Sequence, residues 1–335
     1  MNRIKTLLKL LTAVYVGGLG TGLLHNNAYA GGETVLHTFA GTPKDGAVPN
    51  GPVMQDPLGN FYGVTLIGGK ACRGDGGCGT VYKMAPDGTE SLLYSFCSQP
   101  KCSDGAYPAG ELVEDSSGNL YGTTSSGGAV GYGTAFKVTP GGTETVLYNF
   151  CTLANCTDGA NPEYGLVMDG AGNFYGTTTY GGANLDSPCG CGTVFKLTPG
   201  GAESVLYSFC SLSQCADGLF PMANVVMDKS GNFYGTTVYG GSGEGYDCYG
   251  SNGCGVVFRL APDGSETVLH SFCIEQNCPD GLEPTAGVLL DPSGVIFGTT
   301  PGGGRCFDCG TVFKLTPDGT ETVVHLFCQD VGCKD

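Results

Sequence analysis

The sequence predicts an all-β fold, and within that class a five-bladed β-propeller of four-stranded antiparallel blades. Short strand-like segments recur five times, and turns rich in Gly, Pro, Asn and Asp separate them at regular intervals. After the first thirty residues, no stretch longer than ten residues has convincing helical periodicity. From Glu33 to Glu321 the repeats span 288 residues, which corresponds to five units of about 58 residues.

Each unit contains four segments, which we call strands A to D in chain order. Strand A is a short apolar run that ends at an aspartate: Asp56, Asp115, Asp169, Asp228 and Asp291. Strand B contains an aromatic residue followed by Gly, at Tyr62, Tyr121, Tyr175, Tyr234 and Phe297. Strand C begins at a glycine: Gly79, Gly133, Gly192, Gly255 and Gly310. Strand D, related to Glu-Thr-Val-Leu-Tyr-x-Phe, ends at Phe39, Phe96, Phe150, Phe209, Phe272 and Phe327. In the third unit the predicted strands are 165–169, 173–178, 192–198 and 203–209.

The strand interiors favour blades that stack face to face. Residues 193–197, Thr-Val-Phe-Lys-Leu, are largely apolar on both faces, as expected where neither face of a sheet contacts water. Radial repetition of antiparallel blades also protects strand edges. A linear β-solenoid is the alternative, although its coils usually have fewer than four strands. The sequence contains six copies of strand D for five blades. Segments 33–39 and 321–327 both fit the outer edge of the fifth blade. We therefore expect these two segments in one blade, as a fifth strand or with one displacing the other.

The repeated motifs resemble a known bacterial family. The strings Tyr-Gly-Thr-Thr-x-x-Gly-Gly and Gly-Thr-Val-Phe-Lys-Leu-Thr-Pro-x-Gly-Thr-Glu-x-Val-Leu-Tyr-x-Phe are similar to the GloVer (Gloeobacter–Verrucomicrobia) tandem repeat. The resemblance covers residues 33–335, essentially all of the chain after the first thirty residues. It implies an extracellular bacterial protein. It brings no established enzymatic activity and no catalytic residues that could be carried over.

The first thirty residues have the pattern of a secretory signal peptide. Three basic residues precede an apolar stretch at 10–24, and Ala28-Tyr29-Ala30 supplies the small residues of a cleavage site. We therefore expect cleavage near Ala30, a secreted or periplasmic product, and a single repeat domain over 31–335. No later run approaches the ~18 apolar residues that a membrane-spanning helix needs, so no anchor is expected in the mature chain.

The predicted mature chain is strongly acidic. Without Arg3, Lys5 and Lys9 it has 12 basic and 31 acidic residues, a net charge of −19. Such a surface repels nucleic acids and anionic membranes, whose phosphates require Lys and Arg partners. It tolerates neutral ligands and cations, so calcium is a possible ligand, although the charge also serves solubility alone.

Eighteen cysteines form nine local pairs in the sequence. Five pairs follow strand D: Cys97 with Cys102, Cys151 with Cys156, Cys210 with Cys215, Cys273 with Cys278, and Cys328 with Cys333. Four lie between strands B and C: Cys72 with Cys78, Cys189 with Cys191, Cys248 with Cys254, and Cys306 with Cys309. Where a unit lacks one member, it lacks the other too, as expected for bonded pairs. Export, even cysteine number and scarce histidine favour nine disulfides over zinc half-sites, which remain the alternative.

Antiparallel topology predicts that all these cysteines lie at one end of the blades. The A–B and C–D turns share one end, and the B–C and D–A connections share the other. We call the second end the loop face and the first the plain-turn face. Stiff loops on one face suit ligand recognition, because they order at little entropic cost. The alternative is that Gly-rich loops need disulfides only for stability.

Two sets of carboxylates on the loop face are candidate ligand-binding residues. The first is the Asp of an Asp-Gly-x-x-Pro element that occurs in every unit: Asp45, Asp104, Asp158, Asp217 and Asp280. These aspartates could bind a cation or sugar hydroxyls, or they could simply cap their own turns. The second set is Glu111 and Glu163, near the start of strand A, where the other units carry uncharged residues.

No set of residues in the sequence stands out as a catalytic centre. His37, His270 and His325 take the place of Tyr94, Tyr148 and Tyr207 in strand D, which indicates a structural aromatic position. Neither a nucleophile elbow, a phosphate-binding loop nor a His-Glu-x-x-His motif is present. We therefore expect no catalytic residues, no obligatory cofactor and no metal. The predicted function is extracellular binding, with a glycan or cell-surface component as the expected ligand. A carbohydrate-active hydrolase or lyase, with Glu111 and Glu163 as its carboxylates, and a structural matrix protein are the alternatives.

Overall fold

The computed structural model describes residues 34–41, 45–69, 76–184, 190–242, 248, 253–306 and 309–328. The predicted signal peptide, 1–30, lies outside these ranges. Among the residues within them, no helix is long and apolar enough to cross a bilayer. Three short 3-10 turns are present, at Pro100–Cys102, Ala154–Cys156 and Ser213–Cys215.

The described strands form five antiparallel sheets, one for each sequence unit, so the fold is a five-bladed β-propeller. The first blade contains β1 (Gly46–Pro49), β2 (Met54–Gln55), β3 (Phe61–Gly68), β4 (Thr80–Met84) and β5 (Glu90–Ser95). The second contains β6 (Ala106–Glu114), β7 (Leu120–Ser126), β8 (Thr134–Val138) and β9 (Glu144–Asn149). The third contains β10 (Val167–Met168), β11 (Phe174–Thr178), β12 (Thr193–Leu197) and β13 (Glu203–Ser208). The fourth contains β14 (Val226–Met227), β15 (Phe233–Thr237), β16 (Val256–Leu260) and β17 (Glu266–Ser271). The fifth contains β18 (Leu289–Leu290), β19 (Ile296–Thr300), β20 (Thr311–Leu315) and β21 (Glu321–Leu326).

Aromatic residues fill the space between successive blades. The Phe that follows strand D of one blade contacts strand C of the next edge to face, with ring centroids 4.9 Å apart for Phe150 and Phe195. The same pair recurs at the junctions of blades 1–2, 3–4 and 4–5: Phe96–Phe136, Phe209–Phe258 and Phe272–Phe313. These eight rings are fully buried. Burial of each ring contributes about 1.5–3 kcal/mol, so these contacts are a main source of cohesion between blades.

The glycine that recurs in strand B makes room for the same rings. Gly176 pairs with Phe195 in the antiparallel register of β11 and β12. A methyl group on Gly176 would lie 2.9 Å from the Phe195 ring. The glycine of the Tyr-Gly motif therefore leaves the space that the Phe ring of the Val-Phe motif occupies.

In the third, fourth and fifth blades strand A is shorter than the sequence indicates, whereas in the second blade it extends over nine residues. The predicted strand 165–169 is regular only over Val167–Met168 in the third blade. The preceding residues instead approach the innermost segments of neighbouring blades. Methyl groups on Gly51, Gly110 and Gly165 would lie 2.1–2.7 Å from backbone atoms of the equivalent segment in a neighbouring blade. The Gly165 N–H also donates to Asn224 Oδ1 of the following blade, at 2.6 Å. The propeller axis is therefore narrow and lined by backbone.

The junction between the fifth and first blades buries less surface than the other junctions. Thr236 of the fourth blade is 1 % exposed and donates to the Ala286 carbonyl, whereas the equivalent Thr299 of the fifth blade is exposed. Leu289 of the fifth blade is 61 % exposed, and Val53 of the first blade is 36 % exposed.

The two terminal copies of strand D explain this difference. β21 is the outer strand of the fifth blade, while 34–41 belongs to no sheet and lies against the first blade. There Phe39 contacts Tyr82, with ring centroids 5.0 Å apart, as each other strand D contacts the following blade. Of the two expected arrangements, the fifth strand is not formed. Instead β21 holds the outer position of the fifth blade, and 34–41 is displaced from that sheet.

We predict that Gly165→Ala lowers the free energy of unfolding by about 1–3 kcal/mol, because the added methyl group overpacks the axis. Gly170→Ala is the matched control in the same blade, since nothing lies within 4 Å of its added methyl group. Urea unfolding of the two variants measures both values. Equal stability of the two variants would contradict the close axial packing.

Candidate functional site

The aspartate of each Asp-Gly-x-x-Pro element organises the turn that connects two blades. In the connection from blade 2 to blade 3, Asp158 is fully buried. Its Oδ2 accepts hydrogen bonds from the Tyr148 hydroxyl at 2.8 Å and from the Thr152 N–H at 2.9 Å. Its Oδ1 accepts one from the Leu153 N–H at 3.2 Å. The carboxylate thus joins the end of strand D to the start of the next blade.

The other connections repeat this arrangement. Tyr94 and Tyr207 donate to Asp104 and Asp217, at 2.8 and 2.7 Å, and both aspartates are at most 1 % exposed. In the remaining two, His270 lies 3.0 Å from Asp280, and His37 lies 3.4 Å from Asp45. Burial and internal partners favour the turn-capping interpretation of these five aspartates over an exposed ring of ligand-binding carboxylates. Ligand binding by them remains an untested prediction.

Six disulfides lie in the D–A turns and the B–C loops, and each joins two cysteines that the sequence pairs. The bonds are Cys97–Cys102, Cys151–Cys156, Cys210–Cys215, Cys248–Cys254, Cys273–Cys278 and Cys306–Cys309. This density of disulfides is consistent with an extracellular or periplasmic location.

The other three predicted disulfides each include a cysteine outside the described residues. These cysteines are Cys72, Cys189 and Cys333, whose predicted partners are Cys78, Cys191 and Cys328 in that order. The three bonds are therefore not among those that the structure describes. The disulfides Cys72–Cys78, Cys189–Cys191 and Cys328–Cys333 therefore stay predictions.

The D–A turns and the B–C loops meet at one end of the blades, which is the loop face. Gly128 and Gly182, which begin B–C loops, donate backbone hydrogen bonds of 2.9 Å to the carbonyls of Cys102 and Cys156. The Sγ atoms of Cys254, Cys273 and Cys278 lie within 4.8 Å of one another, so cysteines of a B–C loop and a D–A turn are neighbours. Successive loops therefore support each other across the loop face.

Between the third and fourth blades, the loop face contains a cluster of aromatic and carboxylate side chains, which we call the mouth cluster. It consists of Glu163, Tyr164, Tyr180, Phe220 and Tyr239. The Phe220 ring makes edge contacts with Tyr180 at 5.3 Å and with Tyr239 at 6.2 Å. Burial, followed by the charge of Glu163 and the neighbouring Tyr180, raises the pKa of Tyr164 to about 12.

Glu163 is half-buried in this cluster. Burial raises the pKa of its carboxyl group, and the side chain of Thr179 partly opposes that rise. Thr179 itself is fully buried, and its hydroxyl makes no hydrogen bond of ordinary geometry. Glu163 is therefore a polar group at the edge of an aromatic surface.

Glu111 occupies a different position, near the axis. It aligns in the repeat with Gly165 and Asn224, and its backbone lies 2.7 Å from where a Gly165 methyl group would be. Burial raises the pKa of Glu111. The backbone of Glu111 lies beside Gly165, two residues after Glu163, and a ligand-binding or catalytic role for the two glutamates stays a prediction.

The plain-turn face also has a groove between the third and fourth blades, with a volume of about 490 Å³. Tyr175, Lys196, Met227 and Lys229 are among its lining residues. The Lys196 ammonium group lies 5.8 Å from the centre of the Tyr175 ring. The same pairing occurs in the first two blades, between Lys83 and Tyr62 and between Lys137 and Tyr121. Because these contacts recur, the groove is a product of the repeat.

A glutamate at the start of each strand D lies at the junction with the preceding blade. In all five blades its Oε1 is buried without a hydrogen-bond partner: Glu90, Glu144, Glu203, Glu266 and Glu321. Burial, and then repulsion by the turn aspartate of the preceding blade, raises the pKa of Glu144, Glu203 and Glu266 to about 7. Each of these junctions therefore contains a carboxyl group that is neutral in mildly acidic solution.

Sequence reasoning identified Glu163 but missed the aromatic part of the mouth cluster. Tyr164 was detectable, because the other units carry only Gly or Ala at its position. Tyr180 and Phe220 come from different units, and their contact depends on how two blades are placed. The junction glutamates were hidden because a glutamate that starts an exposed-looking strand gives no sign of burial.

Comparison with known proteins identifies the repeat and adds little about activity. A family profile described as Gloeobacter/Verrucomicrobia repeat matches residues 12–187 and 152–334. No curated protein matches the chain in sequence.

Several solved structures are similar in fold. The α-L-arabinofuranosidase of Fusarium graminearum, in complex with arabinobiose, has a TM-score of 0.49 and 14% identity, covering 85% of this chain and 84% of that one. A putative gluconolactonase has a TM-score of 0.42 and 16% identity, covering 75% and 71%. A luciferin-regenerating enzyme has a TM-score of 0.42 and 13% identity, covering 84% and 93%. All three TM-scores are below 0.5.

We predict that the protein is more stable at pH 5 than at pH 8. The pKa of about 7 for Glu144, Glu203 and Glu266 lies above the usual value of 4.5, so the folded protein binds more protons than the unfolded chain between these values. Their stabilising contribution is complete below pH 4.5 and is lost as the pH rises through 7. Urea unfolding at several pH values measures the slope. Glu203→Gln should remove one of the three contributions, and the exposed Glu275→Gln should leave the slope unchanged. A flat profile for the unsubstituted protein would contradict the prediction.

Proposed function

We propose that this chain, which belongs to the Gloeobacter/Verrucomicrobia repeat family, is an exported binding module that recognises a glycan on its loop face. Export would follow cleavage of the signal peptide near Ala30. The mouth cluster is the observation that carries the proposal, because Glu163 and Tyr164 interrupt the repeat beside three clustered aromatic rings.

The composition of the mouth cluster suits a sugar. Aromatic rings present flat apolar surfaces for the C–H face of a sugar ring, and tyrosine hydroxyls and a carboxylate can bond its hydroxyl groups. Phe220, Tyr180 and Tyr239 are all half-buried, so each retains an accessible edge. Glu163 and Tyr164 provide the adjacent polar groups.

The surrounding framework favours tight recognition at low entropic cost. The Phe220 N–H donates to the Cys191 carbonyl of the preceding blade at 3.0 Å, and the Val238 N–H donates to the Phe220 carbonyl at 3.1 Å. The Phe220 backbone is therefore held from both sides. A surface held in this way loses little conformational freedom when a ligand docks.

The net charge of −19 also favours a neutral or cationic ligand. Glycans without acidic groups meet this requirement. Phosphate-bearing partners do not.

We predict that Tyr180→Ala and Glu163→Gln each weaken glycan binding about tenfold, which corresponds to roughly 1.4 kcal/mol. Glu111→Gln should have a smaller effect, because Glu111 lies toward the axis. A glycan array of the mature protein identifies the ligand, and calorimetry then measures the dissociation constants. Asp87→Asn and Asp318→Asn, on the plain-turn face, are the controls and should bind normally.

Three outcomes would overturn this proposal. Equal weakening by the plain-turn variants would mean that the wrong face has been assigned. Cleavage of a bound glycan, lost in Glu163→Gln, would favour the hydrolase or lyase alternative. Absence of any binding to glycans would favour a structural matrix protein.

A further inference from the structure

His37, Asp45 and Glu90 form a cluster that has metal-ligating side chains from three segments of the chain. His37 lies in segment 34–41, Asp45 precedes β1, and Glu90 begins β5. One donor atom from each residue lies within 4.8 Å of the other two. Three chain segments therefore converge at this point, at the outer side of the first blade.

The distance between the histidine and the aspartate distinguishes this cluster from its equivalent at the junction of the fourth and fifth blades. His37 Nε2 lies 3.4 Å from Asp45 Oδ1, longer than the usual N–H···O hydrogen bond. Tetrahedral zinc with bonds of about 2.0–2.1 Å separates its ligand atoms by about 3.3–3.4 Å. His270 Nε2 lies only 3.0 Å from Asp280 Oδ2, which is an ordinary hydrogen bond. Among the described residues, His270, Asp280 and Glu321 do not form a comparable three-residue cluster.

The charges at the cluster also call for a cation. Two carboxylates face each other, and Glu90 Oε1 is buried without a hydrogen-bond partner. Such an oxygen is costly to bury unless a proton or a cation neutralises it. A histidine with two carboxylates is a ligand set that zinc accepts, with the fourth position left to water.

The backbone already orients one of the ligands. The Ala40 N–H donates to Asp45 Oδ2 at 2.6 Å, and the Gly46 N–H donates to Asp45 Oδ1 at 2.8 Å. Hydrogen bonds of this kind hold ligating carboxylates in place at metal centres. Asp45 is thus preorganised, and only His37 and Glu90 need small adjustments.

We propose that His37, Asp45 and Glu90 bind one zinc-like divalent cation. The ion fastens segment 34–41, which belongs to no sheet, onto the first blade. In strand D of the first three blades a tyrosine occupies the position of His37, and its hydroxyl bonds the turn aspartate directly. The copy of strand D that precedes the first blade has a histidine there, which makes the same connection through a metal.

The test is a zinc titration of the full, disulfide-bonded mature chain after treatment with a chelator. We expect one zinc ion per chain with micromolar or tighter affinity. His37→Tyr restores the residue of the neighbouring units, so it should fold normally and lose at least about 100-fold in affinity. His270→Tyr makes the same change in strand D of the fourth blade and should bind zinc as the unsubstituted protein does. X-ray absorption should show only nitrogen and oxygen ligands at about 2.0–2.1 Å.

Either of two results would overturn the proposal. One is the absence of stoichiometric zinc binding, or binding that His37→Tyr leaves intact. The other is zinc–sulfur distances of about 2.3 Å, which would assign the ion to cysteines. Neither result bears on the glycan proposal, because the mouth cluster lies between the third and fourth blades.

Discussion

The structure depends on the turn aspartate that precedes each blade, which is fully buried at Asp104, Asp158 and Asp217. Asp158 satisfies the hydroxyl of Tyr148 and the backbone N–H groups of Thr152 and Leu153 at once. The same turn contains left-handed backbone at Cys151, Asn155 and Cys156, which costs roughly 1 kcal/mol or more at each residue. Charge-assisted hydrogen bonds offset this cost. Without the carboxylate, neither the disulfide turn nor the placement of the next blade has a defined geometry.

This constraint also links the fold to the proposed function. Each aspartate sits between strand D and the next strand A, so it sets the position of the loop face relative to the blades. The mouth cluster then differs from the repeat only in its side chains, since Tyr164 and Phe220 stand on backbone shared by all units. A repeated scaffold with one altered junction is a simple way to build a specific binding surface.

Much of the fold was predictable because the repeat makes local patterns visible. The five blades, their four strands and the close cysteine pairs follow from periodicity and spacing, which depend on residues near in sequence. The short strand A of the third blade was not predictable, since the segment before it packs against Glu111 and Asn224 of the neighbouring blades. The burial of Asp158 was also hidden, because an Asp-Gly turn usually faces solvent. The exposure of Thr299 was not predictable either, because it depends on how closely the fifth blade packs against the first.

The most direct measurement of this account is the unfolding free energy of Asp158→Asn compared with that of Asp87→Asn. In the variant, the asparagine NH₂ group must face one of the N–H or O–H groups whose hydrogen bonds Asp158 accepts. Two buried donors would then face each other. The account predicts a loss of about 2–3 kcal/mol for Asp158→Asn, with faster amide exchange at Thr152 and Leu153. Asp87 is exposed and accepts a backbone hydrogen bond from Thr89 alone, so its variant should change stability by less than about 0.5 kcal/mol. Equal stability of the two variants would contradict the central role of the buried carboxylate.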